Sequence, residues 1–179
     1  MRVRPANVDD AASIAHVHLA SWKTTYPGLI PQDYIDGLNV ENGIARWKEQ
    51  LAQGSNPVFV AEDGDTIFGF AAGGATVHPV EGYDAEIGSI YLLATHQRRG
   101  AGRALVAAIA RALQERGFKN CVVWALEANP ACGFYQRLGG VPVARQPIEI
   151  GGASLPEVAF GWPDIRVLCA GDPSPSKSR

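Results

Sequence analysis

Apolar residues recur along the chain with two different periods, and the switches between those periods set out the elements. Residues 1–4 alternate as a short strand would. Asn7 or Asp9 caps a helix over about residues 10–23, with Ile14, Val17 and Trp22 among its apolar positions. Pro27-Gly28 breaks the chain and Pro31 opens a second helical region. Its continuation through Ile44, Trp47 and Leu51 keeps helical spacing and ends near Gly54. Residues 57–62 and 66–71 read as strands around Asp63-Gly64-Asp65, which carries hairpin turn chemistry. Residues 73–84, with their Gly, Pro and His, are expected to be irregular.

A largely apolar strand over residues 86–93 enters a Gly-rich loop. The helical pattern that follows, residues 102–114, puts Leu105, Ile109 and Leu113 on one face and stops at Gly117. Residues 121–126 are a buried strand by length and β-branched content. Pro130 starts a short helix that ends at Gly139-Gly140, and residues 141–162 give two strands joined by Gly151-Gly152. Residues 1–168 are thus expected to form a single α/β domain around a mixed sheet. The tail, 169–179, is Pro/Ser-rich from Gly171 and is expected to be disordered.

Composition narrows the class. At 179 residues, 46% hydrophobic and 19% charged, the chain suits one globular domain. A formal net charge of -2 gives no global reason to expect a nucleic-acid or membrane surface. No apolar run reaches bilayer length, and the N-terminus lacks the apolar stretch of a signal peptide. Cys121, Cys132 and Cys169 are odd in number and contain no CxxC pair, so a reducing, cytoplasmic setting fits best. The four histidines have no HxxxH or HExxH spacing, and no metal site is expected.

The strongest local feature is Gln97-Arg98-Arg99-Gly100-Ala101-Gly102 between a strand and an amphipathic helix. Glycines let backbone N–H groups converge, and the first helical turn has four unsatisfied N–H groups at the positive end of the dipole. That combination suits an anion such as a pyrophosphate, with Arg98, Arg99 and Arg103 at its rim. A tight turn with solvated arginines would look the same. The Walker pattern GxxxxGK[ST] is absent, and Leu105 stands where the dinucleotide pattern GxGxxG needs its last glycine.

This loop resembles the Q/R-x-x-G-x-G/A acetyl-CoA signature of the GNAT acetyltransferase superfamily. Residues 129–140, NPACGFYQRLGG, resemble its second cofactor segment, and Trp22…Tyr26-Pro27-Gly28 with residues 155–162 resemble one bacterial branch. The similarity spans about residues 3–165. It implies the GNAT fold, a mixed and mostly antiparallel central sheet flanked by helices, and acetyl-CoA as acyl donor. The activity implied is transfer of an acetyl group to a primary amine, the acceptor being a small molecule. A protein or peptide acceptor, or a non-catalytic acetyl-CoA-binding module, are the alternatives.

By the same resemblance Ile90, Tyr91 and Leu92 offer backbone groups to the pantetheine arm, which can pair like an added strand. Asn129 contacts that arm through its amide, or simply caps the next helix. Tyr135 is the expected general acid toward the departing thiolate, against a plain core aromatic. Glu86 is the expected base, against an exposed strand-end glutamate. Alternation puts its side chain on the face of Gly88 and Ile90, with Ile87, Ser89 and Tyr91 behind. His78 is a second candidate base, and His96 a rim residue. His16 and His18 carry no partner pattern. Trp22, Tyr26 and Tyr34 fall in the region over the acceptor groove, where aromatics can hold an amine by cation–π contact. Two copies pairing through the late strands or helices would make a homodimer.

Overall fold

A computed structural model describes residues 1–170. Seven strands form one sheet in the order β1-β2-β3-β4-β5-β7-β6. They are β1 (Arg2–Pro5), β2 (Val58–Asp63), β3 (Thr66–Val80), β4 (Tyr83–Leu92), β5 (Cys121–Leu126), β6 (Val141–Ile150) and β7 (Ala153–Trp162). Every neighbouring pair is antiparallel except β4 and β5, which run parallel. This is the mixed, mostly antiparallel α/β sheet the sequence implied.

Helices cover both faces. On one side α1 (Ala11–Thr25) and α3 (Val40–Gln53) pack Ile14, Val17 and Trp47 against Val60 and Phe70 of β2 and β3. On the other, α4 (Ala101–Glu115) buries Leu105, Ile109 and Leu113 with Ile87, Val123 and Phe160. The short α6 (Arg166–Cys169) adds Leu168 to that layer. Among the described residues no helix is long and apolar enough to cross a membrane.

Several boundaries differ from the sequence reading. Asn7 does cap, but over a 3-10 turn at Val8–Asp10, with Asp10 closing the box back onto the Asn7 N–H at 2.8 Å. The region after Pro31 divides into α2 (Gln32–Asp36) and α3, because the Asn39 side chain takes the Glu41 and Asn42 N–H groups and starts a new helix. The short helix after Pro130, α5, spans Cys132–Arg137. Residues 73–84 complete β3, turn at Gly82 and begin β4, while keeping part of the expected irregularity: the register shifts between Ala72 and Gly74 and again between Ala75 and Val80. Cys169 closes α6 rather than opening a tail, and residues 171–179 lie outside the described residues.

Candidate active site

The loop before α4 is shaped by two left-handed residues, Arg98 at φ 60° and Gly100 at φ 86°. Alternating handedness turns successive N–H groups to one side and makes an anion-binding concavity. Gly100 supplies no side-chain cap. The first bond inside the helix runs from the Ala104 N–H to the Gly100 carbonyl, so the donors of Ala101, Gly102 and Arg103 remain at the mouth. Arg98, Arg99 and Arg103 are all exposed there. The donor set suits a pyrophosphate and asks for no metal. Among the described residues no three His, Cys, Asp or Glu side chains gather as a metal site.

The sheet opens beside this loop. β4 and β5 share one register pair, Glu86 with Val122, although β5 continues to Leu126 paired with β7. Opposite β3, the pairs Ala72–Ser89 and Gly74–Glu86 set Ile87 and Gly88 against the single residue Gly73, a bulge in β4. The Leu93 N–H bonds to Phe68 of β3, so by alternation the N–H and C=O of Leu92 turn toward the gap. The Leu92 carbonyl accepts there from Ser21 Oγ and Gln97 Nε2, each at 3.3 Å.

The bulge also corrects the expected faces of β4. Ile90 packs with Ile87 on the α4 side, whereas Glu86, Gly88 and Ser89 line a cleft on the opposite side. Tyr91, too, turns to the α1 side, its ring 4.5 Å from that of His18. One extra residue moves every later side chain to the other face.

Tyr135 is 6% exposed between Phe134, Phe160 and Trp162. Its hydroxyl has no hydrogen-bond partner among the described residues. Burial above all, then the neighbouring Tyr91 and Cys132, push its phenol well above the ordinary tyrosine range. A cluster of contacts lies next to it. The Trp22 indole N–H donates to Tyr91 Oη at 3.1 Å, the Trp22 ring lies 4.6 Å from that of Tyr26, and Asn129 Nδ2 donates to Tyr26 Oη at 3.3 Å. Asn129 Oδ1 takes the Ala131 N–H at 2.9 Å, closing a turn ahead of α5, whose N-cap residue is Ala131 with no side-chain cap.

Glu86 is 7% exposed, which removes the reading of an exposed strand-end carboxylate. Its Oε2 accepts from the Val77 and His78 N–H groups at 3.2 and 3.4 Å, and its Oε1 lies 3.6 Å from His78 Nδ1. The cleft before it has a volume of about 310 Å³. His18 and Arg46 also line it, though sequence reasoning gave neither a role. Burial, then the Arg46 charge, lower His18 to about 4, so its imidazole is neutral near pH 7. The signal available was weak: both stand at helical spacing that reads as ordinary surface and core.

The structure thus brings Trp22, Tyr26, Tyr91 and Asn129 into one cluster beside Tyr135, and Glu86 into the adjoining cleft. Tyr34 lies over the same end, its ring 6.0 Å from that of Trp22. His96 stacks on Phe68 near the loop and His16 bonds back to its own helix.

Comparison with known proteins supplies the family and the fold. Residues 21–140 match the profile of the acetyltransferase (GNAT) family. The uncharacterized N-acetyltransferase YuaI of Bacillus subtilis (strain 168) is 45% identical over 167 residues, covering 93% of this chain and 95% of its own. Among solved structures, yncA of Salmonella typhimurium, a putative acetyltransferase with its cofactor acetyl-CoA, aligns with a TM-score of 0.69 at 23% identity, over 90% of this chain and 92% of its own. The ribosomal-protein-alanine N-acetyltransferase of Brucella melitensis aligns with a TM-score of 0.71 at 21% identity, over 90% and 99%. The profile match and the 45% relative, more than the shared fold, decide the assignment: the chain belongs to the acetyltransferase (GNAT) family.

Proposed function

We propose that the chain transfers an acetyl group from acetyl-CoA to the primary amine of a small molecule, by direct attack within a ternary complex. The observation that carries this reading is the parting of β4 and β5 after their single shared pair, next to the uncapped N-terminus of α4. A pyrophosphate at α4 leaves a pantetheine arm free to run into that gap and bond to the edge of β4 at Ile90 and Leu92. Asn129 stands on the β5 side of the same gap.

The roles of the side chains follow from the bonds exchanged. Glu86, directly or through one water, takes a proton from the amine as its nitrogen attacks the thioester carbonyl carbon. A β4 backbone N–H steadies the oxyanion. When the carbonyl reforms, the carbon–sulfur bond breaks and Tyr135 protonates the leaving thiolate. A solvent proton then resets the phenolate as Glu86 releases its own proton to solvent. In balance, one amine proton ends on the sulfur.

A small acceptor is supported by what covers the site. Ile30 and Ile35, around α2, cluster with Ile148, Ile150 and Leu155 of the β6–β7 hairpin, arching over this end of the sheet. That cluster takes in Trp22 and Tyr26, and the cleft before Glu86, at about 310 Å³, has room for a small acceptor rather than an extended peptide. Three free cysteines among the described residues accord with a reducing, cytoplasmic setting.

Calorimetric titration with acetyl-CoA tests the donor, and free-thiol release tests transfer, with a panel of small primary amines set against peptides. Absence of acetyl-CoA binding removes the proposal. Thiol release with peptides alone transfers it to a protein acceptor.

A further inference from the structure

We infer that the acceptor is a zwitterion: a small amine that also carries a carboxylate, read by the cleft between β4 and α3 with its amine end inward. The inference rests on the acetyl-transfer reading above and names the acceptor's chemical class. Among the described residues two formal charges line this cleft, Glu86 and Arg46, and its histidine, His18, is neutral. Glu86 is the deep one. Two backbone N–H groups occupy its Oε2, while Oε1, 3.6 Å from the Nδ1 of the exposed His78, also faces Gly88, where an added Cβ would meet nothing nearer than that oxygen at 4.0 Å. The missing side chain leaves a way for an amine to the carboxylate.

Arg46 is the other charge. It stands exposed at the mouth and has no ion-pair partner among the described residues. Beside it the indole N–H of Trp47, itself lining the cleft, is buried without an acceptor. A buried donor with no partner is a rare and costly feature. Gln50 and Asn56 add amides on the same side. The cleft therefore offers an anion within and unsatisfied donors around a cation without. A diamine would put its second ammonium against Arg46. A carboxylate without an amine would meet Glu86. A monoanionic amine meets one charge of the right sign at each end, and a single guanidinium suits one carboxylate. The volume of about 310 Å³ is at the small end of ligand pockets, the scale of a single amino acid.

The experiment uses the α-amino acids, each against its carboxamide and its decarboxylated amine, with two readouts. One is thiol release from acetyl-CoA. The other is acceptor binding by calorimetry, which needs no turnover. Charge-assisted bonds of this kind predict a preference of about tenfold or more in kcat/KM and in Kd for the carboxylate-bearing member. Arg46→Gln should bring that ratio close to one, acting on KM rather than kcat, and Arg46→Lys should keep part of it. Binding with this preference but no thiol release would support the carboxylate reading and overturn acetyl transfer. Thiol release with carboxylate-free amines at equal or greater efficiency would overturn the carboxylate reading and leave transfer intact. A preference that survives in Arg46→Gln, or no binding of any carboxylate-bearing amine, overturns it as well.

Discussion

A phenol that hands a proton to a thiolate must itself be protonated at the moment of departure, and the surroundings of Tyr135 favour that. Burial and the adjacent Tyr91 and Cys132 raise it far above its ordinary value, so it holds its proton across the whole neutral and mildly alkaline range. Tyr135→Phe should therefore lower the single-turnover rate by about a hundredfold while acetyl-CoA binding, read by calorimetry, stays within about twofold. In the unsubstituted enzyme no loss of activity traceable to Tyr135 should occur up to about pH 10. A single-turnover rate unaltered by the substitution would remove Tyr135 from the chemistry. His18 illustrates the opposite sign. Its pKa is lowered to about 4 from an ordinary 6.5, first by burial and then by Arg46. Above pH 6.5 both folded and unfolded forms are neutral and nothing is lost. As pH falls from 6.5 toward 4 the unfolded chain binds the proton first, and stability declines by on the order of 3 kcal/mol. Melting temperature followed across that window should fall, and His18→Gln should flatten the curve. An equal slope in the variant would assign the decline to other groups.

At the scale of elements, the backbone of one loop governs the donor site. Gly100 sits at φ 86° with open space where a Cβ would be. Gly100→Ala thus meets no clash, and its cost is the left-handed conformation itself, about 1 kcal/mol. Melting should fall slightly, while the Kd for acetyl-CoA should rise by about tenfold or more as the N–H groups lose their convergence. Titration of the variant checks this; unchanged affinity would mean that the pyrophosphate is held elsewhere. The same elements show what the sequence made legible. Leu105, Ile109 and Leu113 give α4 directly, because a core-facing helix repeats every 3.6 residues. Asp63-Gly64-Asp65 gives the β2–β3 turn. Residues 73–84 read as irregular because Gly73, Gly74 and Pro79 interrupt alternation; pairs at Gly74, Ala75 and Val80 still extend β3, while Gly73 and Pro79 fall in its register shifts. The β4 bulge was illegible for a different reason. Its signal is a count of residues against the partner strand, so Ile90 was assigned to the face of Glu86 when it occupies the other.

Across the whole molecule the candidate site is an assembly of distant segments: Tyr26 and Asn129 bond across 103 positions, Trp22 and Tyr91 across 69. Spacing in sequence cannot express such meetings; the resemblance to a family supplied Tyr26, Asn129 and Tyr135, and left out Arg46 and His18, which belong to no motif. The same long-range closure forms the arch of α2 and the β6–β7 hairpin beside Trp22 and Tyr26. Its tightest point is Gly151, at φ 59°, where an added Cβ would stand 2.8 Å from Tyr34 Cβ. Gly151→Ala combines left-handed strain with a clash that must push the hairpin tip off α2. Melting temperature should fall by about 2–4 °C for each kcal/mol lost in a chain of this size. Because the atoms nearest a Cβ at Gly151 all belong to Tyr34 and none to the loop before α4, acetyl-CoA affinity should be unchanged while KM for the amine rises and bulkier amines gain activity relative to small ones. Kinetics on a size-graded amine series, run beside the calorimetry, separates these effects. If KM and the size preference stay fixed while melting falls, the arch stabilises the fold without shaping the acceptor site.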